Sequence, residues 1–142
     1  MSNSLIARAQ VRVAATPARL WKVLTDPALI REYMFGANVS SDWQEGSTIR
    51  WKGEWKGKPY EDKGTVVKSI PGKQLVYTHF SPLTGQPDLP ENYHTVTIDL
   101  EEEGNETLLR LSQDGNANEE ARAHSEKNWM MMLGELKKVA EQ

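Results

Sequence analysis

Three side chains in the middle of this chain could do chemistry together: Asp62, His79 and His94. A carboxylate beside an imidazole can hold it in one tautomer, pass a proton through it, or orient a polar ligand. None of the three sits in a motif that dictates a reaction. The chain contains no His-Glu-x-x-His pair, phosphate loop, Gly-x-Ser-x-Gly elbow or dinucleotide fingerprint. Any chemistry therefore depends on whether the fold turns these residues toward one wall, and on what surrounds them there.

The bulk composition narrows the setting. At 142 residues the chain has the length of one ordinary domain, expected to span 1–142. Its formal net charge is -3, and its 17 Lys and Arg residues are scattered, so the footprint of a nucleic-acid partner is missing. Cysteine is absent, which removes disulfides, thiolate nucleophiles and zinc-cysteine sites together. The first residues lack the apolar run of a signal peptide, and no stretch approaches the ~20 apolar residues of a membrane span. A cytoplasmic protein is the expectation.

The elements that must position the three residues are strands. From Leu5 to Ala14 a first strand is expected. Thr16-Pro17 and Asp26-Pro27 each supply a capping side chain followed by proline at the first helical position, which predicts two short helices in succession, the second ended by Gly36. Ile49 to Trp55 alternates cleanly, with Ile49, Trp51, Gly53 and Trp55 on one side and charged residues on the other. Turn residues at Gly57-Lys58-Pro59 and Pro71-Gly72-Lys73 bracket Tyr60 to Ile70, and Leu75 to Phe80 follows as a strand. Ser81 to Asn92 is rich in proline and long enough to cover a cavity mouth. His94 to Leu100 and Thr107 to Gln113 complete the set.

Closing each hairpin by its shortest turn predicts the pairing. Trp55 meets Tyr60 and Ile49 meets Val66; Ile70 meets Leu75 and Val66 meets His79; Leu100, Ile98 and Val96 meet Leu109, Leu111 and Gln113. The large apolar residues then share one face, Trp51, Trp55 and Tyr77 among them, and the same face receives Asp62, His79, His94 and Gln113. His79 and His94 become neighbours across the long loop. Each polar residue also has a plain reading as a hydrogen-bonded wall or a solvated strand end.

From about Asn118 onward the period turns helical. Ala121, Trp129, Met132, Leu133, Leu136, Val139 and Ala140 fall within about 120° of a helical wheel, a core-facing stripe. Nearer the start of this helix the same sector carries Asn118, Arg122 and Ser125. Arg122 and Ser125 are thereby candidates to face the cavity mouth and meet a ligand carboxylate or carbonyl, although the favoured reading of Arg122 lays its stem along the core with its charge in solvent. Met130 and Met131 lie off the stripe and are expected to pack against the short helices.

One strand, two short helices, a run of antiparallel strands and a long terminal helix make the order of an α+β helix-grip fold. The sequence resembles the SRPBCC superfamily, which includes START-related and birch-pollen-allergen-like proteins, and within it the group similar to the activator of heat-shock protein ATPase homologue. The residues that carry this are Thr16-Pro17-Ala18-Arg19-Leu20-Trp21, Tyr33-Met34-Phe35-Gly36, Ser41-Asp42-Trp43 with Gly46-Ser47, Lys63-Gly64-Thr65-Val66, Leu75-Val76-Tyr77-Thr78, Pro90 through Thr97, and Asn128-Trp129 through Leu136. The resemblance implies a curved antiparallel sheet gripping the helix over a cavity that in relatives takes lipids, sterols, polyketides, aromatic compounds or hormones. It implies no fixed catalytic residues. Chaperone-activating relatives carry a further N-terminal domain, which a chain this short is expected to lack.

The expected function is binding of a small apolar or amphipathic molecule between sheet and helix, with Trp51, Trp55, Asp62, Tyr77, His79, His94, Gln113, Arg122, Ser125, Trp129 and Met132 as cavity candidates. Two alternatives stand beside it. One is a cyclase, dehydratase or hydrolase using cavity His and Asp side chains. The other is an interaction module for a chaperone or another protein. No cofactor and no metal are expected.

Overall fold

A computed structural model describes residues 5–82 and 85–142, without the side chain of Trp55. Along the chain it has β1 (Leu5–Val13), α1 (Pro17–Thr25), α2 (Pro27–Tyr33), β2 (Asn38–Ser40), β3 (Thr48–Trp55), β4 (Lys58–Ile70), β5 (Gln74–His79), β6 (His94–Glu103), β7 (Glu106–Asn116) and α3 (Glu119–Ala140). The seven strands form one antiparallel sheet in the order β1-β7-β6-β5-β4-β3-β2. This is the helix-grip α+β architecture.

Both short helices start as their caps dictate. The Thr16 hydroxyl accepts from the Arg19 N–H at 3.1 Å, and the Asp26 carboxylate accepts from the Ala28 N–H at 2.9 Å, with proline next in each case. The helices bury Leu20, Val23, Leu24 and Ile30 in a core shared with Ile49, Val66, Leu75, Ile98 and Leu109 of the sheet and with Leu133 and Leu136 of α3. Strand β2 went unforeseen, because three residues are too few to show alternation.

The predicted registers hold in one hairpin and fail in two. Between β6 and β7, Leu100, Ile98 and Val96 meet Leu109, Leu111 and Gln113 as expected. Between β3 and β4 the loop tightens to Lys56-Gly57, with both residues at positive φ, so Trp55 meets Lys58 rather than Tyr60 and Ile49 meets Gly64 rather than Val66. That slip of two residues preserves the faces. Between β4 and β5 the turn is one residue off the expected register, with Ile70 opposite Gln74 and 38% exposed instead of buried against Leu75. A bulge between Val66 and Lys68 then adds one residue to β4. Beyond it Val66 meets Tyr77, not His79, and the inward face is recovered.

Helix α3 does more than roof the core: it also runs against the outer edge of β1. There the Glu126 carboxylate accepts the Arg8 N–H at 3.0 Å, the Glu141 carboxylate accepts the Ala14 N–H at 2.7 Å, and the Lys137 ammonium donates to the Arg12 carbonyl at 2.9 Å. The Arg8 N–H, with Arg122 second, holds the Glu126 carboxyl below the ordinary range, and the Ala14 N–H, with Lys137 second, does the same for Glu141.

Candidate functional site

A cavity of about 370 Å³ lies between the sheet and the first half of α3. Strand pairing places its polar groups. Trp51 on β3 stands directly opposite Asp62 on β4, and His79 on β5 directly opposite His94 on β6. The two pairs meet where the His79 Nε2–H donates to the Asp62 carboxylate at 2.8 Å. A carboxylate accepts only, so the neutral His79 ring keeps its lone pair on Nδ1. The indole of Trp51 packs edge-on against that imidazole, with ring centres 5.0 Å apart, and lies 5.6 Å from the ring of Tyr77. Burial drives the Tyr77 hydroxyl well above the ordinary phenol range, so it stays protonated.

His94 is held from the opposite side. Its Nδ1–H donates to the Asp114 carbonyl at 3.1 Å, while the Asp114 carboxylate accepts the Thr95 N–H at 2.6 Å. This clamp exists because β7 bulges where it passes β1, with Gly115 at φ 76°. A side chain at Gly115 would need the left-handed conformation and would put a Cβ 2.6 Å from His94 Nδ1. The bulge also breaks the alternation, so that Asn116 rather than Gly115 turns inward. Asn116 donates to the carbonyls of Leu5 and Gln113 and accepts from the Ser125 hydroxyl at 2.7 Å. Gln113 in turn accepts the Trp129 indole N–H at 2.6 Å. Two residues of α3 are thus tied to β7 across the cavity end.

The structure brings together Trp51, Asp62, Tyr77, His79, His94, Gln113, Ser125 and Trp129 around this space. Two other candidates stand elsewhere. Arg122 is engaged by Glu119 and Glu126 on its own helix and does not line the cavity, because two carboxylates one turn away capture the guanidinium first. Met132 lies beyond the cavity in the dry core, bordering a void of about 20 Å³ with Leu24, Trp43 and Ile98. The side chain of Trp55 lies outside the described residues. The long loop also departs from expectation. Asp88 pairs with Lys63 and accepts the Tyr93 hydroxyl at 2.6 Å, and the loop borders Arg50 and Glu61 on the outer side of β3 and β4. None of its described residues reaches the cavity. Met130 and Met131, expected to pack on the short helices, are 48% and 53% exposed. Among the described residues no group of three or more His, Asp or Glu side chains is placed to hold a metal ion, and no helix is long and apolar enough to cross a membrane.

Sequence reasoning left out Met34, Ala37 and Val96 as cavity residues, and did not choose between core and cavity for Tyr60. Tyr60 had a readable signal in Gly53, the one small residue on the inward side of β3. An added Cβ there would sit 2.7 Å from the Tyr60 hydroxyl, so the ring lies over the glycine. Replacing Gly53 with Ala should push only this flexible ring aside: stability measured in urea changes by less than about 1 kcal/mol, while affinity for a cavity probe falls.

A family profile described as "Activator of Hsp90 ATPase homolog 1-like protein" matches residues 14–141. The chain belongs to this family. The chain is also similar to the solution structure of ChR145 from Cytophaga hutchinsonii, 52% identical, covering 99% of this chain and 97% of that one with a TM-score of 0.88. The solution structure of an Aha1 dimer from Colwellia psychrerythraea is 22% identical, covers 96% of each chain and has a TM-score of 0.74. Protein MLL2253 from Mesorhizobium loti is 22% identical, covering 95% of this chain and 96% of that one at a TM-score of 0.77. The last two show the shared fold of this activator-like family member and nothing finer. No curated protein gives a match.

Proposed function

We propose that this protein binds a small, largely apolar molecule in the space between the sheet and α3. The observation that carries the reading is the composition of the cavity: about 370 Å³ walled by Trp51, Tyr60, Tyr77, Val96 and Trp129, with a few polar groups among them. Apolar burial at ~25 cal/mol per Å² supplies affinity for such a ligand, and the polar groups orient it. The size suits a ligand of one or two fused rings.

Ser125 is half-buried on the α3 face that overlooks the cavity, so a large ring placed there fills the ligand's space without entering the core. Titration with the neutral fluorophore N-phenyl-1-naphthylamine should give saturable binding to the native protein, and Ser125→Trp should weaken it by about tenfold or more, on the order of 1.4 kcal/mol. Equal binding by the filled variant would refute the assignment.

A second reading has its own observation. The Asp62–His79 hydrogen bond is the arrangement in which a carboxylate orients a general base, and its free Nδ1 belongs to a cavity-lining ring, as an acid–base enzyme of cyclase, dehydratase or hydrolase type would need. The protein-partner reading that the family description suggests rests instead on exposed apolar side chains, Met130, Met131 and Phe35. The Ser125→Trp variant leaves that surface as it is, and so separates the partner reading from ligand binding.

A further inference from the structure

We infer that the cavity selects a cationic amphipathic ligand, an aromatic or aliphatic body carrying one protonated amine, and discriminates against carboxylates. The inference rests on the ligand-binding reading above and adds the charge class. It starts from a count of formal charges. Of the described residues that line the cavity only Asp62 is ionised when the histidines are neutral, and no Lys or Arg is among them. The guanidinium that could have reversed this sign, Arg122, is held by Glu119 and Glu126 outside the cavity.

The Asp62 charge is also poorly answered within the protein. Its side chain is 13% exposed, its Oδ2 accepts one imidazole N–H, and its Oδ1 is buried with no hydrogen-bond partner. A carboxylate in such surroundings has most of its acceptor capacity unused, and a buried acceptor left unmet is costly. Its negative field reaches the neighbouring wall: the Tyr60 hydroxyl is raised above its ordinary range, by burial first and by Asp62 second.

The two histidines present the same sign to a ligand. His94 spends its Nδ1–H on the Asp114 carbonyl and His79 its Nε2–H on Asp62, so each neutral ring offers a lone pair. An ammonium group meets a carboxylate, two imidazole acceptors and the indole rings of Trp51 and Trp129, a ring type whose π-system attracts cations. A ligand carboxylate meets the same groups with the opposite outcome.

The test uses three probes of one shape: 2-naphthylmethylamine, 2-naphthylmethanol and 2-naphthoate, each titrated calorimetrically at ~0.15 M salt, where surface charges are largely screened. The amine should bind about tenfold tighter than the alcohol, and the alcohol at least as much tighter than naphthoate. In Asp62→Asn the ratio of amine to alcohol affinity should shrink to within about threefold, and an unchanged thermal midpoint by circular dichroism reports that the fold is intact. Naphthoate binding as tightly as the amine to the native protein, or an amine preference that survives Asp62→Asn, overturns the charge assignment and leaves ligand binding standing. Binding of none of the three overturns both.

Discussion

Replacing Gly64 with alanine should destabilise the protein by about 3 kcal/mol or more, lowering the thermal midpoint by roughly 10 °C. The cause is a close approach of two backbones. An added Cβ at Gly64 would lie 1.7 Å from the Thr78 carbonyl oxygen and 3.3 Å from the His79 N–H nitrogen. Neither atom can swing aside like the end of a side chain, so β4 and β5 must separate at this point. Separation also pulls His79 from Asp62, which follows Trp51 on the other register. Thermal unfolding followed by circular dichroism measures the first effect, and the imidazole proton shifts of His79 measure the second. A variant that melts within about 1 kcal/mol of the native protein would show that the strands are not so tightly apposed.

Trp51→Ala should cost about 3–5 kcal/mol, the usual toll for removing a buried large aromatic ring. Trp51 is only 6% exposed and touches the rings of Tyr77 and His79. The more informative consequence concerns space. Trp51, Tyr77 and Met34 border both the cavity of about 370 Å³ and the void of about 20 Å³ behind it, so they form the partition between the two. Removing the indole should join them into one deeper chamber. Naphthalene-sized probes should then recover part of the lost stability, raising the melting point of Trp51→Ala by more degrees than that of the native protein. Unfolding in urea with and without probe measures both numbers, and an unchanged ligand-induced shift would contradict the partition.

Much of this arrangement was legible before any coordinates. The caps at Thr16 and Asp26, the clean alternation of β3 and the tight Gly104-Asn105 turn between β6 and β7 each depend on local chemistry, and local chemistry is written in the sequence. Parity survived even where register did not: the two-residue slip at Lys56-Gly57 kept Trp51 and Asp62 on the inward face. What the sequence hid was the departure from regularity. The bulge in β4 reversed the side on which Ile70 lies, and the bulge at Gly115 turned Asn116 inward, and neither follows from hydrophobic period. Arg122 was misplaced for a different reason: wheel angle says which sector a side chain occupies, but its reach to Glu119 and Glu126 decides where the charge ends up. The loop after β5 was long enough to cover the cavity, yet Asp88 found Lys63 on the outer side.

The side chains of α3 that dock on β1 have a consequence for self-association. An open sheet invites a foreign strand to add to its rim, because unpaired N–H and C=O groups are a template for any extended chain. On that rim three main-chain groups, the Arg8 N–H, the Arg12 carbonyl and the Ala14 N–H just past the strand, are already met by Glu126, Lys137 and Glu141. A foreign strand adding at this margin must displace those side chains, so strand addition is opposed here, whereas the far margin of the sheet is the three-residue β2.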